Sequence, residues 1–169
     1  MTDETLTVEI WRGKDTGRFE TYQVPHRQSQ TILDVVTWIQ RNREPALAYR
    51  FACRVGMCGS CAMTVNGRPR WTCRTHVSKI VGSGGVRIEP LRNLPRIKDL
   101  VTDMTPFFEK WQAARGRFEP SATRSEPMAS IPSDDPERRI VDAGIECINC
   151  GVCHAACDVV TWNPDYVGP

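Results

Sequence analysis

The sequence predicts an α+β chain, in which a small mixed sheet grips one helix and a second, largely helical segment comes after it. Three observations predict it. In residues 5–11 Leu6, Val8 and Ile10 fall on one face at strand period. After Thr31 the run Ile-Leu-Asp-Val-Val-Thr-Trp-Ile-Gln carries apolar residues at helical spacing. An Asn66-Gly67 pair then separates Ala62–Val65 from the run ending at Cys73, as the turn of a two-residue hairpin.

Taken in order, the first strand is followed by a turn between Gly13 and Gly17. A partner strand spans Arg18 to Val24, with Phe19, Tyr22 and Val24 as its apolar points. Thr31 is the expected N-cap of the helix, and Asp34 sits in its first turn, where the helix dipole favours an anion. Leu33 and Val36, with Ile32, Val35 and Ile39, form its buried face, and Pro45 follows it. The hairpin comes next, and Gly82 to Gly85 turns the chain into a last short strand from Val86. Leu100, Val101, Met104, Phe107, Phe108 and Trp111 recur at steps of three and four, which predicts a helix over residues 99–113, interrupted or kinked at Pro106. This aromatic stripe is read as core packing. Residues 115–139 carry Pro120, Pro127, Pro132 and Pro136 among small and charged residues, the composition of a linker.

The 169 residues suit one domain or two small ones. A net charge of +2 is too weak to argue for nucleic acid or an anionic membrane surface as a partner, and no apolar run approaches a membrane span. The polar, acidic start is not that of a signal peptide. Eight cysteines in a chain without an export signal point to metal ligation.

Their spacing narrows the chemistry. Cys53-Arg-Val-Gly-Met-Cys58-Gly-Ser-Cys61, with a fourth cysteine at 73, is the C-x4-C-x2-C…C pattern of plant-type [2Fe–2S] ligands. Two irons bridged by sulfides need four soft thiolates, three of them here from one bent loop that Gly56 and Gly59 make feasible. Cys147, Cys150, Cys153 and Cys157 follow the C-x2-C-x2-C-x3-C run of bacterial [4Fe–4S] sites. A structural zinc and disulfide pairing remain the competing readings of the first set, and zinc of the second. His26, His76 and His154 are isolated in sequence and read as surface or packing residues, and no acid–base or nucleophile constellation stands out.

The segment Phe51–Cys61 resembles the N-terminal domain of succinate dehydrogenase and fumarate reductase iron–sulfur subunits, and Pro90–Met104 resembles the next segment of that family. The resemblance implies a β-grasp, plant-type ferredoxin-like domain over residues 1–105, then a helix and Pro-rich linker over 106–139. An incomplete, bacterial-ferredoxin-like helical domain takes up 140–169. It implies a [2Fe–2S] cluster on Cys53, Cys58, Cys61 and Cys73, and a [4Fe–4S] cluster on Cys147, Cys150 and Cys153. Cys157 would serve a [3Fe–4S] cluster, and Trp162 matches a position that contacts quinone. The family needs eleven cysteines for three clusters, so it also implies a chain truncated at its C-terminus, with a partner subunit that supplies the missing ligands as the alternative. Asp158 stands where the family usually has Pro.

The function implied is electron relay between an FAD-containing flavoprotein subunit and a membrane quinone. The dicarboxylate site would lie on the flavoprotein, and attachment to the cytoplasmic face of the membrane would run through anchor subunits. Two readings from other classes stand beside it: a free soluble ferredoxin, and a zinc-stabilised interaction module. Colour separates the second from the iron–sulfur readings, and co-purification with a flavoprotein separates the first.

Overall fold

The computed structural model describes residues 4–81, 85–116 and 132–169, together with 125, 127 and 130. Strands β1 (Thr5–Gly13) and β2 (Gly17–Pro25) pair antiparallel over their whole length. The alternating Leu6, Val8 and Ile10 turn inward and are buried, as their period predicts. Helix α1 (Ile32–Asn42) crosses over next. Its start is a full capping box: the Thr31 hydroxyl accepts the Asp34 amide at 3.2 Å, and the Asp34 carboxylate accepts the Thr31 amide at 3.0 Å. Ile32, Leu33, Val35, Val36 and Ile39 are all buried. Burial of each such side chain stabilises by roughly 1.5–3 kcal/mol.

Strands β3 (Ala62–Val65) and β4 (Arg68–Trp71) form the expected hairpin, with both Asn66 and Gly67 at positive φ. Strand β5 (Val86–Glu89) then enters between β1 and β3, parallel to the first and antiparallel to the second. The sheet order is β2-β1-β5-β3-β4. Helix α1 packs on one face of it, and the core joins its apolar stripe to Val8, Ile10, Val24, Met63, Val65, Val86 and Ile88. Of the turn expected from Gly82 to Gly85, residues 82–84 lie outside the described residues.

The helix expected over 99–113 is shorter. Residues 96–102 instead form a second, two-stranded hairpin, β6 (Arg96–Lys98) and β7 (Val101–Thr102), with Asp99 at φ +50° between them. Helix α2 begins only at Thr105 and runs to Ala113, with Pro106 in its first turn. Proline lacks an N–H and presets φ, so it starts this helix rather than kinking it. The Asp103 carboxylate accepts the Thr105 amide at 2.9 Å and strengthens that start. The stripe is core only in part: Leu100 belongs to the main core, and Met104 and Phe107 pack on Leu91, Leu94 and Ala155, but no residue of α2 is fully buried and Phe108 is exposed.

Much of the stretch read as a linker, including Pro120, lies outside the described residues. Its end is helical: α3 (Pro136–Ile145) starts with the Asp135 carboxylate accepting the Glu137 and Arg138 amides. Two short helices, α4 (Val152–Ala156) and α5 (Asp158–Trp162), close the described chain and meet at Cys157. They dock on the rim of the sheet through Leu91, Leu94 and Ala155, and through the Asn93 side chain. No helix among the described residues is long and apolar enough to cross a membrane.

Candidate iron–sulfur sites

The loop between α1 and β3 carries three of the first four cysteines. It bends through left-handed backbone at Arg54, Gly56 and Gly59. The bend turns its amides toward sulfur. The Met57 and Cys58 N–H groups each donate to Cys53 Sγ at 3.3 Å, and the Cys53 N–H reaches Cys58 Sγ at 3.5 Å. The hairpin β3–β4 returns Cys73, held in a 3-10 turn over Thr72–Arg74. The Thr72 hydroxyl, donating to the Cys61 carbonyl at 2.8 Å, ties the two ends of the hairpin together.

The four thiols therefore sit as two pairs, Cys53 with Cys58 and Cys61 with Cys73. The first pair lies toward solvent and the second is buried. Their protonation differs accordingly. The Ser60 hydroxyl, 3.1 Å from Cys58 Sγ, and the neighbouring amides pull the Cys58 thiol down to about 6. Burial, then the adjoining Cys61, push the Cys73 thiol up to about 11. All eight cysteines are without disulfides, and among the described residues no three His, Cys, Asp or Glu side chains converge on a single ion. Two thiol pairs with amides aimed at sulfur fit a two-iron cluster with two ligands per iron better than one tetrahedral zinc.

The second set lies in the loop before α4, which turns through positive φ at Asn149 and Gly151. Cys147 and Cys153 are exposed and Cys150 is half-buried. Three soft thiols on one such loop suit a cubane cluster. The loop packs against the first one: a Cβ added to Gly59 would fall 2.4 Å from Cys150 Cβ. Trp71, at the end of β4, donates its indole N–H to Cys150 Sγ at 3.1 Å. Between the two loops lies a cavity of about 180 Å³, lined in part by Cys58, Ser60, Met104 and Cys150. Cys157 stands apart at the α4–α5 junction, its carbonyl accepting the Asn93 side-chain Nδ2–H at 3.0 Å. Trp162 is 75 % exposed and packs no core, and Asp158 is exposed.

The model of the 2Fe-2S iron-sulfur cluster binding domain family matches residues 7–109, which include the whole first cysteine set. This chain belongs to that family. The chain is 38 % identical over 159 residues to the fumarate reductase iron-sulfur subunit of Haemophilus influenzae, covering 88 % of itself and 61 % of that protein. The fumarate reductase iron-sulfur subunit of Mycobacterium tuberculosis is 37 % identical over 158 residues, with 89 % and 61 % covered. The mitochondrial succinate dehydrogenase [ubiquinone] iron-sulfur subunit 1 of Oryza sativa is 36 % identical over 139 residues, with 82 % and 49 % covered. The chain thus spans 61 % of the length of the first two relatives. Among solved structures, a chain of the Mycobacterium smegmatis Sdh1 complex in the apo form superposes with a TM-score of 0.78 at 30 % identity, over 99 % of this chain and 71 % of that one.

Sequence reasoning passes over three residues of this 2Fe-2S family member, and over a second role of Gly59. Trp71, Ser60 and Asn93 each direct a polar group at a cysteine or its backbone. Gly59 bends its own loop, as its place in the motif suggests, and it also clears space for the second one. A polar or aromatic residue beside a ligand is the available signal for Ser60 and Trp71. Nothing local signals Asn93, which acts over more than sixty positions. His26 lies 3.4 Å from the Glu4 carboxylate, and His154 is buried with its ring edge-on to Phe107.

Proposed function

We propose that this chain is the electron-transfer iron–sulfur subunit of a succinate dehydrogenase or fumarate reductase. It relays electrons between an FAD-containing flavoprotein subunit and a membrane quinone, and carries no dicarboxylate site of its own. The observation that carries this reading is the contact of the two cysteine loops, Cys150 against Gly59, with one cysteine set beside the other. The names of the relatives support it.

In this reading Cys53, Cys58, Cys61 and Cys73 hold a [2Fe–2S] cluster. Cys147, Cys150 and Cys153 ligate a [4Fe–4S] cluster, and Cys157 serves a [3Fe–4S] cluster. Bound clusters of these kinds supply one-electron carriers in series. The chain's own residues fix the series. The amides of Met57 and Cys58 donate to the Cys53 sulfur, the hairpin returns Cys73, and Gly59 allows close approach of the second loop. The exposed Phe51, Val55 and Met57 around the first set suit docking of the flavoprotein subunit. Peripheral attachment to the cytoplasmic face of the membrane runs through anchor subunits, and Trp162 is a candidate quinone contact.

The test is anaerobic purification of the native assembly, with subunit masses, iron content and EPR. A brown complex that contains a flavoprotein and reduces with succinate or oxidises with fumarate is expected. A colourless chain, or a brown monomer with no flavoprotein, would overturn the reading in favour of a zinc module or a soluble carrier respectively.

A further inference from the structure

We propose that Trp71 is a positioning residue for the second cluster: its indole N–H donates to the Cys150 sulfur and favours the reduced state there. The inference rests on the reading of Cys150 as a cluster ligand.

Trp71 is built for this contact. It is the last residue of β4, and the chain on both sides of it is pinned. Thr72 donates through its amide and its hydroxyl to the Cys61 carbonyl, and the Thr75 hydroxyl donates to the Trp71 carbonyl at 2.8 Å. The backbone that carries the indole is thereby tied to the 3-10 turn that holds Cys73. One edge of the ring faces the first loop, where a Cβ on Gly56 would lie 3.7 Å from Trp71 Cε3. The pyrrole edge faces the second loop, with Nε1 3.1 Å from Cys150 Sγ across 79 positions of sequence. A single side chain therefore spans the ground between the two cysteine sets.

The chemistry has one direction. Adding an electron to a thiolate-ligated cluster raises the negative charge on its sulfurs. A fixed N–H donor interacts more strongly with the more negative state. Hydrogen bonds to sulfur are among the factors that set cluster potentials, so this donor raises the midpoint of the second centre. Indole donates and cannot accept at Nε1, which suits a sulfur that is never protonated while it holds iron.

The experiment uses the full chain in its native assembly. The Trp71→Phe variant keeps an aromatic ring and removes the donor. Anaerobic redox titration followed by EPR reads both centres in one sample. The expected result is a lower midpoint at the second centre and a smaller change at the first. An unchanged or higher second midpoint, or an equal shift at both, would overturn the proposal. A second measurement needs no variant. With ¹⁵N-indole tryptophan incorporated, pulsed EPR of the reduced second centre should show a ¹⁵N coupling, and its absence would also overturn the proposal. If the unaltered protein has no second-centre signal and only the iron of the first site, the ligand reading fails, and the Trp71 proposal falls with it before any variant is made.

Discussion

The Asp99 carboxylate accepts the Gly13 amide at 2.8 Å, joining the end of β1 to a turn 86 positions later. Its other oxygen accepts the Ala48 amide at 2.9 Å, and the Arg12 guanidinium lies 3.1 Å away. Asp99 thus fixes the approach to the first cysteine loop from three directions. Burial alone would raise its pKa, but the two amides and Arg12 outweigh burial and hold the carboxyl below its ordinary value.

Asp99→Asn is expected to destabilise the domain by about 3 kcal/mol, because it leaves a buried guanidinium short of its partner. Glu20 and Glu44 remain near Arg12 and limit the loss. The pH dependence has a definite sign. A carboxyl with a depressed folded pKa contributes stability that is present above the ordinary value of about 3.9 and lost as pH falls through the folded value. The gap between wild type and variant, read as denaturant midpoint under anaerobic conditions, should be flat from neutral pH to about 5 and narrow below about 4. A gap that is already closing at pH 6 would contradict this assignment.

Arg54→Gln should lower the midpoint of the [2Fe–2S] centre. Arg54 adjoins Cys53, and its guanidinium lies 5.1 Å from the centre of the Phe51 ring. It is exposed and has no ion pair among the described residues, so folding stability should change little. The effect is that of a solvated charge. It should shrink when salt is raised from 0.1 to 1 M, as the screening length falls from about 10 Å to about 3 Å. A midpoint that does not fall would remove Arg54 from the tuning of this centre.

Asn93→Ala should loosen the second cysteine segment without touching the first. Asn93 Nδ2 donates to the His154 and Cys157 carbonyls, each at 3.0 Å, and Oδ1 accepts the Thr161 hydroxyl at 2.8 Å. Its φ of +62° adds a backbone preference that alanine does not share. Loss of these contacts should cost about 2–3 kcal/mol locally, seen as faster amide hydrogen exchange over residues 153–161. Asn93→Gly separates the causes, since it tolerates the backbone angle but still lacks the hydrogen bonds. If the glycine variant exchanges as slowly as wild type, the clamp is not the side chain.

Legibility from the sequence divides along sequence distance. Helix α1 is legible because Thr31 and Asp34 form its cap three residues apart and its apolar stripe is local. The β3–β4 hairpin is legible because Asn66 and Gly67 supply the positive φ of its turn. The β6–β7 hairpin is not. Leu100 and Val101 continue the three-and-four spacing of Met104 and Phe107, and only long-range demands on Asp99 break that pattern. The start of α3 is encoded in Asp135-Pro136-Glu137 but hidden by the surrounding prolines. The cysteines of both candidate sites are legible as motifs. The contact between their loops is not, because Trp71 and Cys150 lie 79 positions apart.

That contact can be tested at Gly59. Gly59 has φ +68°, and a Cβ there would meet Cys150 Cβ at 2.4 Å and its Cα at 2.8 Å. Gly67 has a similar φ of +76° but open space around it. Gly59→Ala and Gly67→Ala therefore share a backbone cost of about 1–2 kcal/mol. Only the first also forces two loops apart, because the obstructing atoms belong to backbone and to a Cβ that cannot rotate away. Gly67→Ala should lower the denaturant midpoint and leave hydrogen exchange over residues 147–157 unchanged. Gly59→Ala should lower the midpoint further, speed exchange over that segment, and weaken the magnetic coupling between the two reduced centres. Equal behaviour of the two variants would mean that the second loop yields without cost, and that the close approach of the cysteine sets is not held by Gly59.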